Sequence, residues 1–160
     1  MAYYVAVYVV ANLAVFGVIS TVEQNCGGRT DREAYNGFYQ TNPRLSLVMT
    51  AGLFSLAGIP PFAGFFSKFM VFAAAFHAGH WMIVFLALVN TVISLYYYLL
   101  VVKAIFITPA ETNPLPKFTS SGAVRAALTI CLAAICLIGI CPQAFDWMTQ
   151  AAQYTFGHIG

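Results

Sequence analysis

Four long apolar segments constrain the fold of this chain more than any other feature of its sequence. They cover about residues 3–20, 45–76, 81–106 and 124–140. A helix needs roughly 20 apolar residues to cross the hydrocarbon core of a bilayer, and each segment is near or above that length. Apolar residues make up 61% of the chain and charged residues only 8%, against about a quarter in soluble domains. The sequence therefore predicts an all-α membrane protein with four transmembrane helices.

The second apolar segment is too long for one straight spanning helix. Its roughly 32 residues would extend about 48 Å, whereas the hydrocarbon core is roughly 30 Å thick. Two prolines in its middle lack the N–H group that a helix interior needs, and two glycines beside them remove side-chain bulk. We expect a break here, between two half-helices at membrane depth. The residues of the predicted break are Gly58, Pro60, Pro61 and Gly64.

Lys68 lies in the same segment, about two turns beyond the break. A lysine near the bilayer centre costs roughly 2.5–3.5 kcal/mol on insertion scales. The prolines deprive the carbonyls of Leu56 and Ala57 of their helical partners, so these oxygens are available to water, a polar side chain or a cation. Snorkelling explains Lys68 poorly, since His77 at the predicted membrane boundary lies about nine residues, or roughly 13 Å, further along.

The chemistry of Lys68 leaves two interpretations. A static ion pair would need an acid from another chain, because the four apolar segments contain no Asp or Glu. A proton-carrying role suits lysine, since desolvation disfavours the ammonium form and a small change in the local field can then load or unload a proton. We expect the second role, because it explains the broken helix and the buried cation together.

Weaker candidates for the same proton path follow in the chain. Asn90, Ser94 and Tyr97 share one face of the third segment, and Lys103 lies near its end. Interhelical hydrogen bonding with an aromatic belt is one account of that face, and a hydrated path beside Lys68 is the other. His77 and His80 suit anchoring at the interface or proton exchange at the outer surface.

Several function classes find no support in the sequence. It contains no metalloprotease motif, phosphate-binding glycine loop or dinucleotide fingerprint, so no catalytic residue or bound cofactor is predicted. Two histidines without a nearby carboxylate make a weak metal site, and the cysteines suit packing, so no metal is predicted. A net charge of +2, confined to two connections, does not indicate nucleic acid binding.

The positive charges predict the topology. Six of the seven Lys and Arg residues lie in the connection between segments one and two or around that between three and four. The N-terminus, the short turn at 77–80 and the C-terminal tail contain none. By the positive-inside rule, the two charged connections face the cytoplasm and both termini lie on the opposite, periplasmic or outer side.

Two motifs resemble a known family. Residues 55–69 read SLAGIPPFAGFFSKF, and residues 93–99 read ISLYYYL. Both resemble the antiporter-like membrane subunits of respiratory complex I, in particular the subunit N (subunit 2) members from bacterial NADH:quinone oxidoreductases. The first motif is shared by related antiporter-type subunits. One departure is Leu100, where many members carry arginine, which leaves Lys103 as the cation at that end.

The resemblance implies a bundle of about fourteen helices, of which residues 1–160 would be the C-terminal four. It further implies that Lys68 ends a proton path near the outer exit. The chain would hold no redox centre, with NAD and quinone used by the whole complex, and its partners would be the lipid bilayer and the other subunits of the membrane arm. The expected location is the bacterial inner membrane. A cation/proton antiporter subunit and a non-conducting structural fragment stay open as alternatives.

The topology predicts how two cysteines react. Cys26 lies in the first charged connection, and Cys141 lies near the opposite face. A membrane-impermeant thiol reagent added to right-side-out vesicles should leave Cys26 unlabelled, because the reagent reaches only the outer face. Labelling after the vesicles are made permeable is the control, and efficient labelling of Cys26 in sealed vesicles would overturn the topology.

Overall fold

The fold is a bundle of helices in which one helix is interrupted. The computed structural model describes residues 2–28, 31–107, 115–118 and 120–140, and all regular secondary structure in them is helical. A short 3₁₀ helix, Arg32–Tyr35, and a four-residue α-helix lie between the first two long helices. The α-helices are α1 (Ala2–Asn25), α2 (Phe38–Thr41), α3 (Pro43–Ala57), α4 (Ala63–His77), α5 (Trp81–Phe106) and α6 (Gly122–Ile140).

The predicted all-helical class is confirmed, and the interruption lies where the prolines and glycines placed it. Three helices in the described residues are long and apolar enough to cross a membrane: Tyr3–Asn25, Trp81–Phe106 and Gly122–Gly139. The predicted second span consists of two apolar helices of 15 residues each, α3 and α4, separated by residues 58–62. Helix α1 continues beyond the predicted end at residue 20, through the polar residues that follow. Cys141 lies outside the described residues.

Helix α3 occupies the centre of the bundle. It packs against α1, α4, α5 and α6, and most of its residues are buried. Small residues allow α1 to approach it closely: a Cβ atom on Gly52 would lie 2.7 Å from Val15 Cγ2 and 3.3 Å from the Ala11 carbonyl oxygen. Small residues serve this purpose in membrane helix packing, where close backbone approach supplies the attraction.

Hydrogen bonds join the charged connections at one end of the bundle. The N–H of Gly37 donates to the carbonyl oxygen of Ala104 at 3.0 Å, which ties the first connection to the end of α5. The buried Asn42 side chain donates to the Pro116 carbonyl oxygen at 3.1 Å and accepts from the Phe118 N–H at 3.3 Å. The two connections that carry most of the positive charges therefore also lie close together in space.

Helix α5 leaves much of its apolar surface uncovered by the described residues. Only 6% of the most apolar stretch of α5 is buried, against 39% for α1. Large side chains such as Ile83 and Val92 are 63% and 66% exposed. Such a surface is suited to contact with lipid or with further helices.

Helix α6 closes over the interruption through Gly139. A Cβ atom there would overlap the Pro61 carbonyl oxygen and lie 2.6 Å from the Ala63 nitrogen. We expect Gly139→Ala to lower the free energy of unfolding by about 1–3 kcal/mol, because backbone cannot move aside as a side chain can. The measurement is the unfolding of the purified chain in detergent, with circular dichroism as the readout.

Gly122 provides a matched control at the other end of the same helix. A Cβ atom on Gly122 would meet nothing within 4 Å. Gly122→Ala should therefore change the free energy of unfolding by no more than about 0.5 kcal/mol. Equal effects of the two substitutions would contradict the close contact between α6 and the interruption.

Candidate functional site

The site begins where α3 stops. Gly58 has φ 82°, in the left-handed region that favours glycine, and its N–H donates to the carbonyl oxygens of Phe54 and Ser55 at 3.0 and 3.1 Å. The N–H of Ile59 also donates to Phe54 at 3.0 Å. This is a glycine-terminated helix end, and the proline pair that follows cannot continue the helix. The last carbonyls of α3, those of Leu56 and Ala57, therefore lack helical partners.

Lys68 supplies those partners. Its Nζ donates to the Leu56 carbonyl oxygen at 2.7 Å and to the Ala57 carbonyl oxygen at 3.3 Å. Helical side chains lean toward the N-terminus of their own helix, and this tilt carries Lys68 back from α4 toward the end of α3. The negative end of the α3 dipole adds to the attraction for an ammonium group. The side chain is thus directed toward the interruption and away from His77, which argues against snorkelling.

A second set of contacts fixes the angle between the two half-helices. The N–H of Gly64 donates to Ser55 Oγ at 3.2 Å, and Ser67 Oγ donates to the Gly64 carbonyl oxygen at 3.0 Å. Both serines are almost fully buried. A Cβ atom on Gly64 would overlap the Ser55 carbonyl group, so only glycine allows the two backbones this close. The start of α4 is thereby held against the end of α3, one turn before Lys68.

Lys68 also borders a cavity of about 410 Å³ between α1, α4 and α5. Its volume is enough for several water molecules, each of which occupies about 30 Å³ in the liquid. Polar groups from two other helices line part of it, beside apolar side chains such as Val71 and Phe72, and water needs such polar partners. These groups are Tyr4 and Tyr8 of α1 and Asn90, Thr91, Ser94 and Tyr98 of α5.

The cavity contains some of the residues that the sequence grouped and not others. Asn90 and Ser94 line it beside Lys68. Tyr97 does not: it is 62% exposed and its ring contacts that of Tyr96, while Tyr98, one position later, lines the cavity. The i, i+4, i+7 spacing was too coarse to distinguish neighbours within the tyrosine triplet.

The remaining candidates lie apart from Lys68. His77 and His80 are exposed at the turn between α4 and α5, and Lys103 is exposed near the end of α5. No group of three potential metal ligands occurs among the described residues. Sequence reasoning missed Ser55 and Ser67, whose positions on either side of the proline pair are the only signal that could have indicated them.

A family model described as NADH:quinone oxidoreductase/Mrp antiporter, TM matches residues 1–94. That range contains the interruption, Lys68 and the polar residues Asn90, Thr91 and Ser94. The match therefore covers most of the candidate site as well as more than half of the chain.

Individual relatives extend the similarity to the rest of the chain. NADH-quinone oxidoreductase subunit N of Phocaeicola vulgatus is 59% identical over 152 residues, which are 95% of this chain and 32% of that protein. NAD(P)H-quinone oxidoreductase subunit 2 of the chloroplast of Chaetosphaeridium globosum is 33% identical over 161 residues, covering 95% of this chain and 31% of the relative. The chain thus spans about a third of the length of the curated relatives it matches.

A solved structure shows the same arrangement of helices. It is the respiratory complex I of Thermus thermophilus with bound aureothin. One of its chains superimposes with a TM-score of 0.73 and 31% sequence identity, over 89% of this chain and 33% of that chain. The fold and the sequence therefore lead to the same group of proteins.

Gly58 allows a direct test of the contact between Lys68 and the end of α3. A Cβ atom on Gly58 would lie 3.1 Å from Lys68 Cδ and 3.6 Å from Nζ. Gly58→Ala should cost about 1–2 kcal/mol for the left-handed backbone and about 1 kcal/mol more for displacing the lysine. The free energy of unfolding of the purified chain in detergent is the measurement.

Gly79 is the matched control, since it has the same φ of 82° but nothing within 4 Å of an added Cβ. Gly79→Ala should incur the backbone cost alone. In a Lys68→Ala background the excess cost of Gly58→Ala should disappear. An excess that survives removal of the lysine would contradict the contact.

Proposed function

The chain belongs to the NADH:quinone oxidoreductase/Mrp antiporter transmembrane family, and from this membership we propose that it is a proton-translocating membrane subunit of an NADH:quinone oxidoreductase. Lys68 is the proposed proton carrier at the exit end of its path. One observation carries the proposal: the Lys68 ammonium donates to the last two carbonyls of α3 at the edge of a cavity that Asn90 and Ser94 also line.

The geometry supports a cycle with two positions for the lysine. A protonated Lys68 is stabilised at the α3 terminus, where two carbonyl oxygens and the helix dipole favour positive charge. A neutral amine loses the charge-assisted part of those hydrogen bonds. It can then turn toward the cavity, where the side chains of Asn90 and Ser94 and the water that fits among them offer a route for the proton. His77 and His80 at the turn beyond α4 are candidates for exchange with the outer surface.

The remainder of the machinery would come from outside this chain. We assign to it no redox group: NAD and quinone would be used by the rest of the complex, and enzyme activity exists only at the level of that complex. The Phocaeicola vulgatus relative is a subunit of such an oxidoreductase, and the Thermus thermophilus structure is of a complex I. The proposed partners are accordingly the neighbouring subunits of a membrane arm, in contact with the exposed apolar surface of α5.

We further propose four crossings of a bacterial inner membrane. Helices α1, α5 and α6 would each cross once, and α3 and α4 together would form the fourth, interrupted crossing. Placing the charged connections in the cytoplasm puts both termini and the turn between α4 and α5 on the outer side. Lys68 then lies about nine residues, or roughly 13 Å, from the outer boundary, which suits an exit.

A cation/proton antiporter subunit is the second candidate, because the description of the matching family names Mrp antiporters as well. The two candidates differ in what drives the ion. An antiporter subunit would support sodium-dependent proton exchange in vesicles without NADH or quinone, whereas the proposed subunit would move protons only during electron transfer.

Substitution of Lys68 in the assembled complex tests the proposal. Lys68→Ala should reduce the number of protons moved per electron by at least about half, while NADH oxidation by an artificial acceptor stays intact. Lys68→Arg should also impair pumping, because guanidinium keeps its proton. The measurement is proton-to-electron stoichiometry in vesicles that contain equal amounts of assembled complex. Arg32→Ala, which removes an exposed cation of the first connection, is the control and should pump normally.

Two outcomes would contradict a proton-carrying Lys68. Unchanged pumping by assembled Lys68→Ala would remove the residue from the path. Full rescue by Lys68→Arg would indicate that only a fixed charge is needed at the end of α3, as in a structural, non-conducting subunit.

A further inference from the structure

A second pocket, of about 320 Å³, lies at the charged end of the bundle, far along α3 from Lys68. It is formed where the N-terminus of α3 meets the segment that leads into α6. Three cationic side chains line it, and they come from three separate stretches of the chain: Arg44, Lys117 and Arg125. No carboxylate is among the described residues that line it. The pocket therefore concentrates positive charge without an internal counter-ion from the described residues.

The N-terminus of α3 adds unpartnered donors to these charges. Its first residue, Pro43, has no N–H group, so the free donors are the N–H groups of Arg44 and Leu45. The preceding Asn42 makes no side-chain cap. Asn42 instead uses its amide group to hold Pro116 and Phe118 in place, which builds the wall of the pocket. The first turn of α3 also contains no acid. An anion in the pocket would satisfy the free N–H groups and the positive end of the helix dipole.

Ser120 adds a neutral hydroxyl group to the lining of the pocket. The residue is only 8% exposed. Its hydroxyl group can donate a hydrogen bond to an anionic oxygen atom.

The rest of the lining suits an amphipathic ligand. Leu45 and Phe118 are apolar and lie beside the cations, and α3 and α6 run from this pocket into the apolar part of the bundle. Basic pockets between transmembrane helices on the cytoplasmic side are typical sites for anionic lipid headgroups. We propose that this pocket binds the phosphate-bearing headgroup of an anionic phospholipid. The site needs only a bilayer, so it is independent of proton movement at Lys68.

The binding test uses the full chain purified in a nonionic detergent, with phosphatidylglycerol as the anionic probe and phosphatidylcholine as the zwitterionic one. Native mass spectrometry counts the lipid retained at each concentration. Phosphatidylglycerol should be retained at concentrations at least about fivefold lower than phosphatidylcholine. Equal retention of the two lipids would overturn the proposal.

Variants locate the binding within the molecule. Arg44→Gln and Arg125→Gln should each weaken phosphatidylglycerol retention about fivefold, the factor expected for one cation near a lipid phosphate. Arg44→Lys keeps the charge and should retain most of the binding. Arg32→Gln removes an exposed cation from the same end of the bundle but outside the pocket, and it should bind like the unchanged chain. Equal losses in Arg32→Gln and Arg44→Gln would overturn the site.

Two further arms complete the experiment. Free glycerol phosphate should not displace phosphatidylglycerol at equal concentration, because it lacks acyl chains that could contact the apolar Leu45 and Phe118. Displacement would assign the pocket to a soluble phosphate and overturn the lipid assignment. If Arg44→Gln loses its helical circular dichroism, Lys117→Gln, which alters a side chain outside any helix, takes its place with the same expected loss.

Discussion

The bond between the Lys68 ammonium and the last carbonyls of α3 is the interaction on which the rest of this structure depends. A helix that ends among apolar side chains leaves its last carbonyl oxygens without helical partners, and a lysine there loses part of its hydration. Each defect is unfavourable by itself. Lys68 donates to Leu56 and Ala57, so each group satisfies the other. An interrupted helix and a half-buried cation are therefore tolerated together.

The surrounding helices hold this pair in register through close backbone contacts. Gly64 lets α4 start directly against Ser55, and Gly139 lets α6 pass over the proline pair. Tyr3 of α1 donates to the Ile138 carbonyl oxygen at 3.4 Å, which links the first and last described helices near the same level. Such contacts leave little room for the half-helices to shift relative to each other.

The molecule separates two kinds of electrostatic environment along its length. Positive side chains collect at the end formed by the connections and the start of α3, where a bilayer surface supplies anionic groups. The single cation of the interior is Lys68 within the described residues, and it faces backbone carbonyls and neutral polar side chains. The same helix, α3, presents its positive end to the proposed lipid phosphate and its negative end to the lysine. The α3 dipole thus favours an anion at the N-terminus of the helix and the Lys68 ammonium at its C-terminus.

The sequence by itself determined the helical class and the place of the interruption, and it drew attention to Lys68. These follow from local chemistry: proline lacks an N–H wherever it occurs, long apolar runs need a bilayer, and an isolated lysine in such a run needs an explanation. Periodicity also placed Asn90 and Ser94 on a face that the structure brings to Lys68.

Only the tertiary structure decided which partners meet. That Lys68 turns back onto the α3 carbonyls, that Tyr98 and not Tyr97 lines the cavity, and that Arg44, Lys117 and Arg125 converge depend on how helices far apart in sequence pack. Helical spacing gives the direction of a side chain only to within a fraction of a turn, and it carries no information about the neighbouring helix. The close backbone contacts at Gly64 and Gly139 fix the distances between neighbouring helices, and those distances decide which side chains meet.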